Sequence, residues 1–157
     1  MNDAVAPPSS VEVERSFEAS PAHVYAAWLD PAMAKVWMSP GSISAARAEI
    51  DPQVGGHYRI WHVEDGVVVG GFDGEFLELV PNRRLVFAWG LLGPERENGP
   101  VFDSRLTVTF AENDAGGTDL TLLHEHLEEF AAAKPDVAAM IETGWRTVLD
   151  KLATLVE

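Results

Sequence analysis

The chain has 157 residues, 46% of them hydrophobic, no cysteine, and 11 basic against 25 acidic side chains for a net charge of −14. That length fits one domain with a core of its own and does not reach two. The lack of cysteine excludes disulfides, thiol catalysis and thiolate metal sites. The acidic balance excludes nucleic acid and anionic membrane as partners unless a local basic patch exists, and Arg83-Arg84 is the one adjacent basic pair. No segment is apolar enough to span a membrane, the N-terminus lacks a signal-peptide pattern, and a cytoplasmic location is expected.

Residues 1–10 (MNDAVAPPSS) are small, polar and proline-bearing, which predicts a loose tail ahead of a single domain over 11–157. Val11, Val13, Arg15 and Phe17 alternate with Glu12, Glu14, Ser16 and Glu18, the period of a half-buried strand. Ser20-Pro21 supplies an N-cap and a first-turn proline for a helix over Ala22 to Leu29, and Asp30-Pro31 repeats the device for a second helix through Trp37. Strands follow at Ser44 to Ile50, His57 to Glu64 and Val67 to Val80, the last two joined by Asp65-Gly66, a strong hairpin signal. Arg84 to Trp89 continues the sheet. Gly90 to Phe102, with three glycines and two prolines, is too irregular for a strand and reads as a flap. Strands at Ser104 to Phe110 and Asp119 to His124 flank a turn at Asn113 to Gly117, and Leu127 to Ala133 starts a helical turn.

Pro135 is expected to begin the main helix. From there Val137, Ile141, Trp145, Val148, Leu149, Leu152, Leu155 and Val156 recur at helical spacing on one apolar face. The order is β, α, α, six strands and a long α-helix, with antiparallel pairing favoured by the short connections. A sheet closed by one amphipathic helix predicts an interior cavity.

The residues expected to line that cavity are Trp37, Met38, Arg59, Trp61, Phe72, Glu75, Phe87, Trp89, His124, Met140 and Trp145. For the strand at His57, Trp61 and Val63 are the larger apolar pair, so that face is expected inward, with Tyr58, Ile60 and His62 outward. Aromatic walls with few polar groups suit a small hydrophobic or aromatic ligand. Arg15, on an apolar face, calls for a carboxylate partner, for which Glu75 and Asp73 are the candidates, or serves as an anchor for a carboxylate-bearing ligand, a question that Arg59 raises as well. His124 and His126 stand two residues apart, but a zinc site needs three or four ligands, so no metal is assigned. His124 alone is a candidate for acid–base work. Gly144, inside a helix, is explained by close packing against the sheet beside Trp145. No nucleophile elbow, phosphate loop or dinucleotide fingerprint is present, and no cofactor is expected.

Several segments are also familiar in order. Phe17 to Trp28 (FEASPAHVYAAW) followed by Asp30-Pro31, then Pro52 to Tyr58 (PQVGGHY), Gly74-Glu75-Phe76 through Pro81, Arg84 to Trp89 (RLVFAW), and Gly144-Trp145 with Leu149, Leu152 and Leu155 resemble the activator of heat-shock chaperone ATPase homologue (AHSA-type) domain. The likeness runs from about Val11 to Val156. It implies an α+β START-like (SRPBCC) helix-grip fold, a curved antiparallel sheet wrapped around the last helix. The superfamily it implies contains ligand binders, polyketide cyclases and aromatases, lipid carriers and stress-response domains. The functions to weigh are therefore a ligand-binding domain, a cyclase- or hydrolase-type enzyme using His124, Glu75 or Arg59, and an interaction domain that modulates a chaperone ATPase. The corresponding partners are a small hydrophobic molecule, a protein partner or a second copy in a homodimer.

Overall fold

In the computed structural model, residues 9–39, 45–92, 104–133 and 135–157 are described. Most of the N-terminal tail, Pro40-Gly41, Ser44 of the expected second strand and residues 93–102 of the expected flap lie outside them. The elements run β1 (Val11–Phe17), α1 (Pro21–Leu29), α2 (Pro31–Trp37), β2 (Ala45–Ile50), β3 (His57–Glu64), β4 (Val67–Val80), β5 (Arg84–Leu92), β6 (Ser104–Glu112), β7 (Thr118–Glu125), α3 (Glu128–Ala133), α4 (Pro135–Ala138) and α5 (Ile141–Val156). All seven strands form one antiparallel sheet in the order β1-β7-β6-β5-β4-β3-β2. Helices α1 and α2 carry the chain from one edge strand, β1, to the other, β2. Helix α5 packs against β1, α1 and α2. The result is the α+β helix-grip arrangement.

Local chemistry explains the helix boundaries. Ser20 Oγ accepts from the His23 amide (3.3 Å) at the start of α1. Asp30 serves two helices: its backbone N–H closes α1 on Ala26 O (3.1 Å), and its carboxylate caps α2 at the Ala32 amide (2.9 Å). The β3–β4 turn bears out the hairpin signal, since Asp65 (φ 52°) and Gly66 (φ 79°) both take the positive φ that such a turn needs. Strand β4 accommodates one close approach: a Cβ on Gly71, at φ 151°, would sit 1.9 Å from the Ile60 carbonyl oxygen.

Four expectations need correction. The long helix starts at Ile141, because α4 ends at Ala138 and Met140 caps α5 with no side-chain hydrogen bond. Pro135 therefore opens a four-residue helix of its own. Leu155, expected on the buried stripe, is 39% exposed. Gly144 is not a packing glycine: a Cβ there would meet nothing within 4 Å. Strand β5, finally, runs on to Leu92, so the first residues of the expected flap belong to the sheet.

The two glycines predict opposite outcomes. Gly144→Ala places a better helix former in open space and should raise stability by about 0.5–1 kcal/mol, or roughly 2–4 °C in Tm. Gly71→Ala forces a backbone clash and should lower Tm by more than that gain. Thermal unfolding of the two variants checks both; a destabilised Gly144→Ala would show that this position has a packing role.

Candidate functional site

Alternation along the strands points one face of the sheet at α5. From β1 it presents Val11, Val13 and Phe17, from β7 Leu120, Leu122 and His124, from β6 Leu106 and Val108, and from β5 Leu85, Phe87 and Trp89, all buried. Strand β3 contributes Tyr58, Ile60 and His62, which are 0%, 0% and 5% exposed. The expected orientation of this strand is thus reversed. His57 is exposed and Arg59 and Trp61 are half-buried on the outer face. The reason is electrostatic: turning Trp61 inward would carry Arg59 with it, whereas outside Trp61 is covered by the Arg47 guanidinium, 4.7 Å from its ring centroid. Arg59 Nε there donates to Asp73 Oδ1 (3.1 Å), its cross-strand neighbour.

Seen from this face, the expected lining set divides. Trp37, Met38, Phe72, Phe87, Trp89, His124 and Trp145 come together inside. Arg59, Trp61 and Glu75 do not, because they belong to the outer face, and Met140 is 59% exposed at the head of α5. Trp28, Tyr58, Phe76 and His62 join the interior and were not among the expected lining residues. Trp28 was recoverable from its spacing: it stands four residues after Val24 and three after Tyr25, all buried on one face of α1.

These rings form one connected cluster. Trp145 lies 6.4 Å from Trp28 and 6.1 Å from Phe72 in stacked geometry, and 5.7 Å from Trp89. Phe87 neighbours Tyr58 (5.1 Å), Phe76 (4.9 Å), Trp89 (5.5 Å) and Trp28 (6.3 Å). Each such pair adds about 0.5–1.5 kcal/mol beyond the burial of its area. Phe72, at one margin between His62 (5.0 Å) and Trp89 (5.4 Å), is only half-buried.

The polar groups inside fall into two kinds. One kind is fully engaged. Trp145 Nε1–H donates to His124 Nδ1 (3.2 Å), His124 Nε2 meets Ser104 Oγ (2.7 Å), and Ser104 Oγ–H donates to the Trp89 carbonyl (2.7 Å). An indole N–H only donates, so Nδ1 must accept and Nε2 must carry the proton. The chain of donors assigns His124 as a single neutral tautomer. Burial lowers its pKa to about 4. Likewise Trp37 Nε1–H donates to Ala27 O (3.1 Å), and His62 Nε2 bonds Met38 O (3.0 Å), with burial again lowering the histidine. Lys151 Nζ donates to the neighbouring Ser39 carbonyl. The second kind has no acceptor: Trp28 Nε1, Trp89 Nε1 and Tyr58 Oη, with Arg15 Nε on β1, are buried without a hydrogen-bond partner. Burial also raises the Tyr58 pKa, keeping the phenol protonated.

Arg15 is held by α5 instead of by Glu75 or Asp73. Its Nε lies 3.2 Å from Asp150 Oδ1 without hydrogen-bond alignment, a half-exposed Coulombic pair of modest strength. His126 turns away in a positive-φ conformation (62°) and is exposed, so it does not share a face with His124. Among the described residues no three His, Asp or Glu side chains gather where they could hold a metal ion. A solvent-open groove beside the start of α1, lined by Pro21, Val80, Arg83, Phe110 and Glu112, is separate from the ring cluster.

The neutral His124 makes the fold acid-sensitive. Its folded pKa of about 4 lies below the ordinary value of 6.5, so between these pH values the unfolded chain binds more protons. Stability is therefore complete above about pH 6.5 and falls as pH drops towards 4, by on the order of 3 kcal/mol for this group. Denaturant unfolding of the protein and of His124→Asn across pH 4 to 7 should show a shallower loss in the variant. Parallel curves would remove His124 as the cause.

Comparison with known proteins follows the geometry. Residues 18–157 match the family model described as Activator of Hsp90 ATPase homolog 1-like protein. Protein CV1439 from Chromobacterium violaceum is 30% identical over 96% of this chain and 98% of its own, with a TM-score of 0.75. Protein Ms6760 from Mycobacterium smegmatis shares the fold (TM-score 0.77, 19% identity, 95% and 91% of the two chains). DynU16, a protein in the dynemicin biosynthetic locus, is 25% identical over 94% of this chain and 47% of its own, with a TM-score of 0.67. No curated protein matches the chain. No helix among the described residues is long and apolar enough to cross a membrane. Proteins of this fold commonly bind ligands. With its family model covering all but the first strand and its flank, the chain belongs to the Activator of Hsp90 ATPase homolog 1-like family.

Proposed function

We propose that this protein binds a small hydrophobic or aromatic molecule between the inner face of its sheet and α5. The observation that carries the reading is the continuity of the ring cluster from Trp28 through Phe87, Trp89 and Trp145 to Phe72, whose ring is half-buried at the margin. Flat, polarisable walls with fixed orientations suit a planar guest, which gains both burial and ring stacking. The three expected lining residues on the outer face take no part.

A cyclase-type enzyme using the same interior is the second reading, favoured by the likeness to DynU16. The bonds on both ring nitrogens of His124, and the exposure of Glu75 on the outer face, count against these two as its proton-transfer groups. Native mass spectrometry of freshly purified protein separates the two: a retained molecule released unchanged supports a carrier, and its conversion over time supports an enzyme.

Titration with fluorene tests the pocket. At about 100 times its dissociation constant a guest should add about 2.7 kcal/mol, near 5–10 °C in Tm for a chain of this size. Trp61→Ala, on the outer face, should leave that shift unchanged, and Phe72→Ala should reduce it. Absence of any shift at saturating solubility, or a shift abolished by Trp61→Ala, would sink the proposal.

A further inference from the structure

We propose that the guest is a neutral, planar aromatic compound carrying carbonyl-type oxygen acceptors, received by Tyr58 Oη–H, Trp28 Nε1–H and Trp89 Nε1–H. This rests on the pocket reading above and names the chemistry that the pocket selects.

The argument starts from a contrast within one core. Four indoles belong to the interior, and two of them are satisfied by the protein: Trp37 through Ala27 O and Trp145 through His124 Nδ1. The other two, with the Tyr58 phenol, have no acceptor although each side chain is almost wholly buried. Buried donors are nearly always paired, because leaving one unmade forfeits its solvation without return. The three neutral unpaired groups belong to side chains that neighbour the same ring, Phe87, at centroid distances of 5.1, 5.5 and 6.3 Å. The side chains that carry them therefore belong to one part of the core.

The sign of the missing groups follows from their type. An indole N–H can only donate, and a protonated phenol offers its hydrogen to any acceptor placed before it. The guest must therefore present acceptors. It must also be uncharged. The buried polar side chains among the described residues are Ser39, His62, Asp73, Thr118 and His124, none of them a cation at neutral pH. The cations nearest the interior are not themselves buried: Arg15 and Arg59 each lie beside a carboxylate, and the half-buried Lys151 ammonium bonds the Ser39 carbonyl and faces His62. A carboxylate or phosphate placed among these rings would lose its hydration with no countercharge. A carbonyl conjugated to an aromatic plane meets both conditions, since the plane stacks and the oxygen accepts.

The test uses three probes of one shape: 9-fluorenone, fluorene and fluorene-9-carboxylate. One net hydrogen bond corresponds to about a tenfold change in dissociation constant, so fluorenone should bind about tenfold more tightly than fluorene, and the carboxylate more weakly than either. In proton–nitrogen correlation spectra the indole resonances of Trp28 and Trp89 should move downfield with fluorenone, while those of Trp37 and Trp145 hold. Tyr58→Phe should bring the affinity for fluorenone towards that for fluorene, narrowing the ratio between the two, with Tm equal to or above that of the parent protein. If that variant folds poorly, the indole shifts in the unmodified protein decide the matter. Equal affinity for fluorenone and fluorene with unmoved indoles overturns this proposal and leaves the pocket standing. Tightest binding by the carboxylate also overturns it. Binding of none of the three overturns the pocket reading, and this inference with it.

Discussion

The structure depends on Trp145. Its indole N–H reaches His124 on β7, and its ring lies against Trp28 of α1, Phe72 of β4 and Trp89 of β5. One side chain thus joins the last helix to the sheet and to the first helix at once. The amphipathic stripe of α5 supplies the burial that holds it down, through Val148, Leu149 and Leu152. Burial is non-directional, however, and would tolerate rotation or sliding of the helix. The directed bond to a histidine of fixed tautomer sets the position, and the flanking rings inherit their places from it.

Much of this was legible from spacing. The alternation of β1, the Ser20-Pro21 and Asp30-Pro31 helix starts and the Asp65-Gly66 turn each express a local rule, and the structure agrees at each; the stripe of α5 holds from Ile141 to Val156 except at the exposed Leu155. What failed were choices that neighbouring strands make. Strand β3 carries large apolar side chains on both faces, so its own pattern is nearly balanced; pairing with β4 decides it, because Arg59 meets Asp73 and Ile60 meets Phe72. The inward set could have been found by counting charge across both strands instead of apolar size along one. The Arg15 partner was misplaced for a similar reason, since Asp150 comes from a helix whose rotation the strand pattern does not contain. Gly144 was read as a packing device, and it faces open space.

The inner and outer faces of the sheet follow different chemistry. Outside, charge meets charge and cation meets ring, as in Arg59 with Asp73 and Arg47 over Trp61. Inside, the wholly buried side chains carry polarity as neutral donors and acceptors, beside the half-buried Lys151 ammonium on the Ser39 carbonyl, and part of that inventory is internally closed. The His124 chain ends at the Trp89 carbonyl, so the same tryptophan has an occupied carbonyl and an unoccupied indole N–H. In the binding reading proposed above, this division would give a common fold a preference, with shape from the rings and selectivity from the donors that the fold itself does not use.

Asp30 closes α1 and opens α2, while the Trp37 indole ties back to Ala27 within the first helix. The two helices are thereby braced like the arms of an elbow that cannot hinge without breaking both fastenings together. Trp28 and Trp37, one on each arm and 4.8 Å apart, keep a constant spacing as a result. In the binding reading proposed above, accommodation to guests of different thickness would then fall to the opposite jaw, α5, with the braced corner acting as the stationary anvil.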